Sequence, residues 1–301
     1  MTKTFILGVG AQKAGTSWLH DYFCGIPGFD PGFEKEYHIL DARYLTSGSR
    51  YRMRNLRCGL RSGPALLLKR AAGVVGIPLE RRHNEIDWAR LSLMRSDAAY
   101  VGYFSDILSK PGVTHTADIT PEYASLPVNI LKSLGRQFAE RGVHVRAIFL
   151  MRDPVERIWS ASRMFVRQHE AGRFAGPSGQ WLEPLAAVEE LCGRAETDQL
   201  ARYEQTVANL EEAFGHDNVH LEMYERLFDI SSLRRITEFF GMPFVDPDFS
   251  RRVNSAPDKM ELSPDIANSL KKRYSATYDF LDTRFPGWRG QPDVWSQSVL
   301  P

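Results

Sequence analysis

The sequence is poor in cysteine, the residue that builds disulfide frameworks and many metal centres. Its three cysteines, Cys24, Cys58 and Cys192, are an odd number spread over 301 residues and form no metal-ligand cluster. We therefore predict no metal site. Lysine and arginine number 38 against 37 acidic residues, so a formal net charge of +1 gives no general attraction to nucleic acid.

Long hydrophobic runs are also missing. The first apolar stretch, residues 5–9, is too short for a signal peptide, has no cleavage site after it and is needed as a strand. A second apolar stretch, residues 64–77, is too short and too interrupted to span a bilayer. The sequence therefore predicts a cytoplasmic protein of bacterial type.

Strand and helix patterns alternate along the chain. Apolar runs predict strands at 5–9, 145–151 and 218–223, and helical spacing is found at 155–168, 200–214, 233–240 and 262–281. A hydrophobic content of 43%, without internal repeats or long linkers, is enough for a substantial core. We predict a single α/β domain over residues 1–301, with a mostly parallel sheet covered by helices on both faces.

The first predicted strand is followed by a glycine-containing turn and the start of a helix, at residues 10–17. Such a turn directs unpaired backbone N–H groups and the positive end of the helix dipole toward an anion. Gly10 and Gly15 have the spacing of a P-loop, but a P-loop NTPase has lysine directly after the second glycine, where this chain has Thr16. Lys13 lies inside the loop instead. The pattern favours a phosphate site, and an ordinary βα turn with a Ser/Thr cap is the alternative.

A second phosphate-binding pattern follows the strand at 145–151. Arg152 ends this strand, and Ser160 lies about two helical turns later. A guanidinium group holds phosphate with two hydrogen bonds and is always charged. Asp153, Pro154 and Glu156 predict a helix start with a capping box. The alternative is a surface arginine at a strand end and a helical serine without a function.

Together these motifs resemble those of sulfotransferases that use 3′-phosphoadenylyl sulfate (PAPS). Residues 12–18, Gln-Lys-Ala-Gly-Thr-Ser-Trp, are similar to the family's 5′-phosphosulfate loop, and the Arg152/Ser160 spacing is similar to its 3′-phosphate site. The resemblance implies that Lys13 contacts the phosphosulfate bridge and that Arg152 and Ser160 bind the 3′-phosphate. The loop residues implied as cofactor contacts are Lys13, Ala14, Gly15, Thr16, Ser17 and Trp18.

Residues 34–41 resemble the Lys-Glu-x-His-x-x-Asp segment of the heparan-sulfate glucosaminyl sulfotransferases and their bacterial relatives. The resemblance implies that Glu36 is the base for an acceptor hydroxyl and that His38 positions or polarises the site. It also places Asp41 and Tyr37 at the acceptor. Sulfuryl transfer, like phosphoryl transfer, depends mostly on positioning and charge stabilisation, and a carboxylate within reach can serve as base. On the residues alone, a solvated charge cluster with a surface histidine is the alternative.

Two further segments match the family in part. Residues 117–123 resemble its Glu-Lys-Thr-Pro-x-Tyr segment, which implies Tyr123 as an acceptor contact. A buried aromatic side chain whose hydroxyl finds a partner is the alternative for Tyr123. Ile119 stands where the family has lysine, and this departure disfavours a glucosaminyl acceptor. Residues 251–259 occupy the position of the cofactor-closing loop but lack its usual Lys-Gly-Arg, and Arg252 and Ser255 are the implied contacts.

The resemblance implies the sulfotransferase fold and transfer of a sulfuryl group from PAPS to a hydroxyl or amine, with 3′,5′-ADP as product. The acceptor would be a glycan, a lipid or another small molecule. A P-loop nucleotide kinase stays open as an alternative, although it needs a lysine after Gly15 and a strand-ending aspartate for Mg²⁺. A non-catalytic nucleotide-binding protein at a membrane surface is the other alternative.

The resemblance is interrupted between about residues 46 and 90 by a basic stretch. Residues 43–82 contain ten lysines and arginines and one acid, a net charge of +9, while the remainder of the chain carries −8. We predict a basic helical insertion at about 43–90. It is either a solvated surface helix or a lid that, through residues 43–82, contacts an anionic membrane and recruits an anionic or lipid-linked acceptor.

Overall fold

The computed structural model describes residues 2–46, 80–170, 184–250 and 262–290. Within these ranges lies a four-stranded parallel sheet in the order β2-β1-β3-β4. The strands are β1 (Lys3–Gly8), β2 (His115–Ile119), β3 (Val143–Met151) and β4 (Val219–Met223). Residues 4–8 and all of β2 are buried. Because successive side chains of a strand point to opposite faces, the sheet is covered on both sides, which confirms the predicted α/β fold.

The helices of the described ranges surround this sheet. They are α1 (Thr16–Cys24), α2 (Leu40–Tyr44), α3 (Glu80–Leu93), α4 (Asp97–Leu108), α5 (Val128–Ala139), α6 (Pro154–Glu170), α7 (Pro184–Gly193), α8 (Ala195–Gln199), α9 (Tyr203–Phe214), α10 (Tyr224–Leu227), α11 (Ile230–Phe240), α12 (Pro264–Arg273) and α13 (Ser275–Arg284). Phe5 of β1 stacks on Phe138 of α5, with ring centroids 4.4 Å apart, and lies 4.7 Å from Phe104 of α4. These aromatic contacts hold two helices against the sheet.

The last helix and one strand are among the elements that differ from the sequence prediction. The last helix is broken at Tyr274, whose ψ of 28° separates α12 from α13. Leu270, Tyr274, Tyr278 and Leu281 are buried across the break, at the spacing of one helix face. Strand β2 was not predicted, because its buried residues include the polar His115, Thr116 and Asp118.

The sheet order brings the two predicted phosphate-binding segments together. β1 lies between β2 and β3, so the connections out of β1 and β3 run toward opposite edges, and ligands of such sheets bind at this switch point. The N–H of Val9 donates to the carbonyl of Ile148 at 3.1 Å, and the N–H of Leu150 donates to the carbonyl of Gly10 at 2.8 Å. The loop after β1 is thus held against the end of β3.

Most of the predicted basic insertion, residues 47–79, lies outside the described residues. Arg43, at its start, donates to the carbonyl of Met94 at 2.7 Å and lies 3.2 Å from the Asp97 carboxylate. This arginine therefore joins α2 to the start of α4, and the membrane contact predicted for residues 43–82 stays a prediction. In the described part of the chain, no helix is both long enough and apolar enough to cross a membrane.

A buried carboxylate joins β2 to the segment that contains Glu36 and His38. Asp118 accepts hydrogen bonds from the hydroxyls of Tyr100 and Tyr123, both at 2.8 Å. The Tyr123 hydroxyl in turn accepts the N–H groups of Ile39 at 3.1 Å and Leu40 at 3.3 Å. Burial raises the pKa of Asp118 to about 6 despite the hydrogen bonds that favour its charged form.

We expect Tyr123→Phe to lower the free energy of unfolding by about 2–3 kcal/mol, because two buried amides lose their acceptor and Asp118 loses one of its donors. Tyr100→Phe is the matched control, since it removes the other tyrosine donor to Asp118 but leaves both amides bonded; its loss should be about 1–2 kcal/mol. Urea unfolding near neutral pH measures both. Equal losses would contradict a role for Tyr123 in holding residues 39 and 40.

Candidate functional site

The loop between β1 and α1 depends on a glycine in a left-handed conformation. Gly15, directly before α1, has a φ of 84°. A Cβ at this position would lie 2.7 Å from Cδ2 of Leu227 and 3.1 Å from the Tyr224 ring. Both the dihedral angle and the space therefore require glycine. Lys13, two residues earlier, also has a positive φ, of 70°.

The start of α1 offers backbone donors to an anion. Among the described residues no side chain caps α1, and its first turn has no acidic residue. The helix's own hydrogen bonds begin with the N–H of Leu19, which donates to Gly15 at 3.1 Å. The N–H groups of residues 16–18 thus have no acceptor within the helix, which is the arrangement that binds phosphate or sulfate. The N–H of Ala14 instead donates to Ala11 at 3.2 Å, so Ala14 contributes only its buried side chain.

A cluster of cations surrounds the loop. Burial, followed by repulsion from Arg167, Arg152, Arg163 and Lys35, lowers the pKa of Lys13 to about 8. The Nζ atom of Lys13 lies 3.8 Å from Sδ of Met164 on α6, and Arg152 donates to the carbonyl of Lys13 at 3.3 Å. Like charges at close range repel, and an anion bound among them would offset this repulsion. We call these five side chains the cationic cluster: Lys13, Lys35, Arg152, Arg163 and Arg167.

Arg152 is held at the end of β3 by several contacts. Its guanidinium lies 4.6 Å from the centre of the Tyr224 ring and 3.5 Å from the Glu156 carboxylate. Its carbonyl accepts the hydroxyl of Tyr203 at 3.0 Å. Ser160 is one turn beyond Glu156 on α6 and is partly exposed, whereas its sequence neighbours are buried. Glu156 and Ser160 therefore lie on one side of this helix, with Arg152 beside Glu156.

Asp153 caps α6, as the sequence predicted. Its carboxylate accepts two N–H groups of the first helical turn, at 2.9 and 3.0 Å, and the Tyr278 hydroxyl at 3.0 Å. The predicted capping box is wrong, because the N–H of Asp153 donates to Glu225 at 3.1 Å while Glu156 lies beside Arg152. A carboxylate used in this way does not have the role of the magnesium-binding aspartate that a kinase needs.

His38 lies among three carboxylates. Its Nδ1 is 2.9 Å from Asp41 and 3.8 Å from Glu122, and its Nε2 is 3.6 Å from Glu36. Burial alone would lower the pKa of His38, but the hydrogen bonds to Asp41 and Glu36 and the charge of Glu122 raise it to about 9. His38 is therefore protonated at neutral pH. It can orient Glu36, but it is not available as a base.

Glu36 is half-buried, and its carboxylate lies between two cations, Lys35 and the protonated His38. The Nζ atom of Lys35 lies 2.5 Å from its carboxylate, and Arg90 of α3 donates to its backbone carbonyl at 2.8 Å. Burial raises the pKa of Glu36, but the hydrogen bond of His38 and the charge of Lys35 outweigh it and hold the pKa at about 2. Glu36 is thus ionised throughout the physiological pH range.

Lys35 is a site residue that the sequence analysis missed. Its Nζ lies 3.1 Å from the hydroxyls of both Thr16 and Ser17, as well as beside Glu36. It therefore connects the start of α1 to the ionised carboxylate. Its position directly before Glu36 was the feature of the sequence that could have identified Lys35 as a site residue. Arg163 and Arg167 were also missed, although their spacing from Ser160 places all three on one side of α6.

Three residues predicted as acceptor contacts have side chains that are buried in the core and not directed toward the site. Tyr37, Asp41 and Tyr123 are at most 1% exposed. The Tyr37 hydroxyl donates to the carbonyl of Pro31 at 3.0 Å. Asp41 bonds to the ring of His38, and Tyr123 holds the backbone that follows it, so these side chains fix the segment from its buried side. Trp18, predicted as a nucleotide contact, is 5% exposed and stacks between aromatic rings of the core.

The remaining predicted cofactor contacts, Arg252 and Ser255, fall in residues 251–261, which lie outside the described residues.

Comparison with known proteins identifies the fold. No family model matches the sequence, and no curated protein sequence matches it. Among solved structures, the chain is similar to a sulfotransferase from Alicyclobacillus acidocaldarius, with a TM-score of 0.55 and 17% identity over 96% of this chain and 100% of that one. The chain has the sulfotransferase fold. At this level of identity the likeness shows the fold alone.

Two other solved structures are less similar. The sulfotransferase domain from the curacin biosynthetic pathway has a TM-score of 0.40 and 19% identity, over 81% of this chain and 75% of that one. Sulfotransferase STF9 from Mycobacterium avium has a TM-score of 0.39 and 14% identity, over 95% of this chain and 69% of that one. Neither adds to the assignment.

We expect inorganic sulfate to bind more weakly as the pH rises from about 7 to about 9.5. Lys13 is protonated below its pKa of about 8 and neutral above it, so the loop loses a cation while sulfate keeps its charge. Calorimetry should show a loss of affinity of roughly five- to tenfold. Lys13→Arg should remove most of this dependence, because arginine stays charged, and the remainder comes from His38, whose pKa is about 9. Lys132→Arg, the same change at an exposed position of α5, should leave it in place.

An affinity for sulfate that stays constant over this pH range in the unaltered protein would contradict Lys13 as the anion contact.

Proposed function

We propose that this protein is a sulfotransferase that moves a sulfuryl group from PAPS to a hydroxyl or amine of an acceptor. The observation that supports it most is the meeting, at the ends of β1 and β3, of an uncapped helix start, a cationic cluster and the ionised carboxylate of Glu36. The first two suit a phosphosulfate and the third suits the removal of a proton from an acceptor.

The residues at this edge of the sheet fit PAPS as a ligand. In the proposed arrangement, Lys13 and the N–H groups of residues 16–18 bind the 5′-phosphosulfate. Arg152, at the end of β3, and Ser160, on the side of α6 that faces away from the core, bind the 3′-phosphate. Cations that extend from Lys35 to Arg152 match a ligand with anionic groups at two separate places.

In the proposed reaction the acceptor atom bonds to sulfur while the bond from sulfur to the bridging phosphate oxygen breaks, which leaves 3′,5′-ADP. Lys13 offsets the charge that develops on the bridging oxygen. Glu36 takes the proton of the attacking group. Because the pKa of Glu36 is about 2, this proton moves only when the new bond to sulfur has made the acceptor acidic. His38 keeps its own proton and holds the Glu36 carboxylate in place.

Incubation with PAPS and a panel of phenols, alcohols and amines tests the proposal. A sulfotransferase releases 3′,5′-ADP only when an acceptor is present, and the acceptor gains the mass of a sulfuryl group. Turnover of ATP instead would favour a nucleotide kinase, a function that the use of Asp153 as a helix cap disfavours. Nucleotide binding without turnover on any acceptor would favour a non-catalytic protein.

We expect Arg152→Ala to weaken binding of 3′,5′-ADP by roughly 10- to 100-fold, because a charged contact to the 3′-phosphate is lost. Binding of 5′-AMP, which lacks this phosphate, should hardly change. Calorimetry with both nucleotides measures the difference, and Lys132→Ala, which removes an exposed cation of α5, is the control. Equal losses for the two nucleotides would show that Arg152 does not recognise the 3′-phosphate.

We expect Glu36→Gln to bind 3′,5′-ADP as the unaltered protein does but to transfer a sulfuryl group to an alcohol about 10²–10⁴-fold more slowly. The loss should be smaller for an acidic phenol, which needs less help in releasing its proton. Glu34→Gln is the matched control, since Glu34 lies 3.3 Å from Arg90 and is not placed at the reacting atoms.

The measurement is the rate of sulfuryl transfer by each of the two variants, with the alcohol and with the phenol as acceptor. An unchanged rate of Glu36→Gln on the alcohol would contradict Glu36 as the base.

A further inference from the structure

One side of α6 extends the cationic cluster beyond the proposed nucleotide site. The partly exposed residues in this part of the helix are 160, 163, 164, 167 and 168, and the buried ones are 158, 159, 161, 162, 165 and 166. A spacing of three and four residues places the first set on a single side of the helix. Two arginines, Arg163 and Arg167, follow Ser160 along this side.

Lys13 marks a position on this side of the helix. Its Nζ lies 3.8 Å from Sδ of Met164, one turn beyond Ser160. Arg152 and Ser160 precede this contact. Arg163 is level with it, and Arg167 lies about 4.5 Å further along the helix axis, at a rise of ~1.5 Å per residue. If Lys13 holds the phosphosulfate, the two arginines therefore lie on its far side from Arg152.

The charges of both arginines reach the Lys13 ammonium, whose pKa they help to lower. The guanidinium of Arg163 lies 5.5 Å from the centre of the Trp159 ring, which restricts its position. Glu156 lies 3.5 Å from Arg152, and its charge also acts on Arg163. Arg163 and Arg167 therefore add positive charge along this side of α6 beyond Arg152 and Ser160, the proposed contacts to the 3′-phosphate.

We infer that Arg163 and Arg167 form a subsite for an anionic group carried by the acceptor, so that the acceptors of this protein are acidic molecules. A carboxylate, sulfate or phosphate fits, because planar guanidinium groups bind each of these with paired hydrogen bonds. Such contacts would select acidic acceptors over neutral ones and hold them beside Lys13. The inference rests on the proposed function.

The test uses two probe acceptors of nearly equal size, 4-hydroxybenzenesulfonate and the neutral 4-hydroxybenzenesulfonamide, with protein saturated by 3′,5′-ADP at about neutral pH. We expect calorimetry to show that the sulfonate binds about tenfold more tightly or better. The double variant Arg163→Gln with Arg167→Gln should lose this preference. The corresponding double lysine variant should retain part of it, since the charge remains.

Lys132→Ala combined with Arg141→Ala is the control for net charge. It removes two exposed cations, one on α5 and one in the turn that precedes β3, and should leave the preference unchanged.

The binding of 3′,5′-ADP, measured first, separates the two proposals. An unaltered protein that does not bind 3′,5′-ADP would contradict the proposed function itself. If 3′,5′-ADP binds but the sulfonate is not preferred, or neither probe binds, only the acidic-acceptor subsite is contradicted. A preference that survives in the double glutamine variant contradicts it as well. So does a large loss of 3′,5′-ADP affinity in that variant, which would assign the arginines to the nucleotide.

Discussion

The hydrogen bonds between the loop after β1 and the end of β3 are the constraint on which the rest of the site depends. They join Val9 and Gly10 to Ile148 and Leu150, residues far apart in the chain. This pairing places Arg152 against the carbonyl of Lys13 and gathers cations that repel one another. The packed sheet and its helices hold these charges together, so the protein is prepared for an anion before any anion binds.

On the side of the site formed by residues 35–41, positively and negatively charged groups alternate. Lys35 lies between the hydroxyls of α1 and the Glu36 carboxylate, and Glu36 lies between Lys35 and the protonated His38. Asp41 holds His38 in turn. The buried tyrosines and Asp118 fix the backbone behind this row. A base bound on two sides by cations is weak but well positioned, which suits a reaction in which positioning and charge stabilisation matter most.

Local patterns were enough to predict β1, β3, β4 and the helix that Asp153 caps, because apolar runs and capping residues act over short distances. Other features depend on partners distant in sequence. Strand β2 is polar, and its buried Asp118 is satisfied by donors such as Tyr100 and Tyr123, which are distant from it or unmarked in the sequence pattern. Lys35 gained its role from a fold that brings it to α1. Tyr37 and Tyr123 matched a family pattern, but only packing shows that they face the core.

A crystal structure with bound 3′,5′-ADP tests the central claim most directly. The account predicts the 5′-phosphate at Lys13 and the N–H groups of residues 16–18, and the 3′-phosphate at Arg152 and Ser160. Glu36 should lie on the open side of the 5′-phosphate. A nucleotide bound away from the ends of β1 and β3, or one with its two phosphates exchanged, would contradict the account.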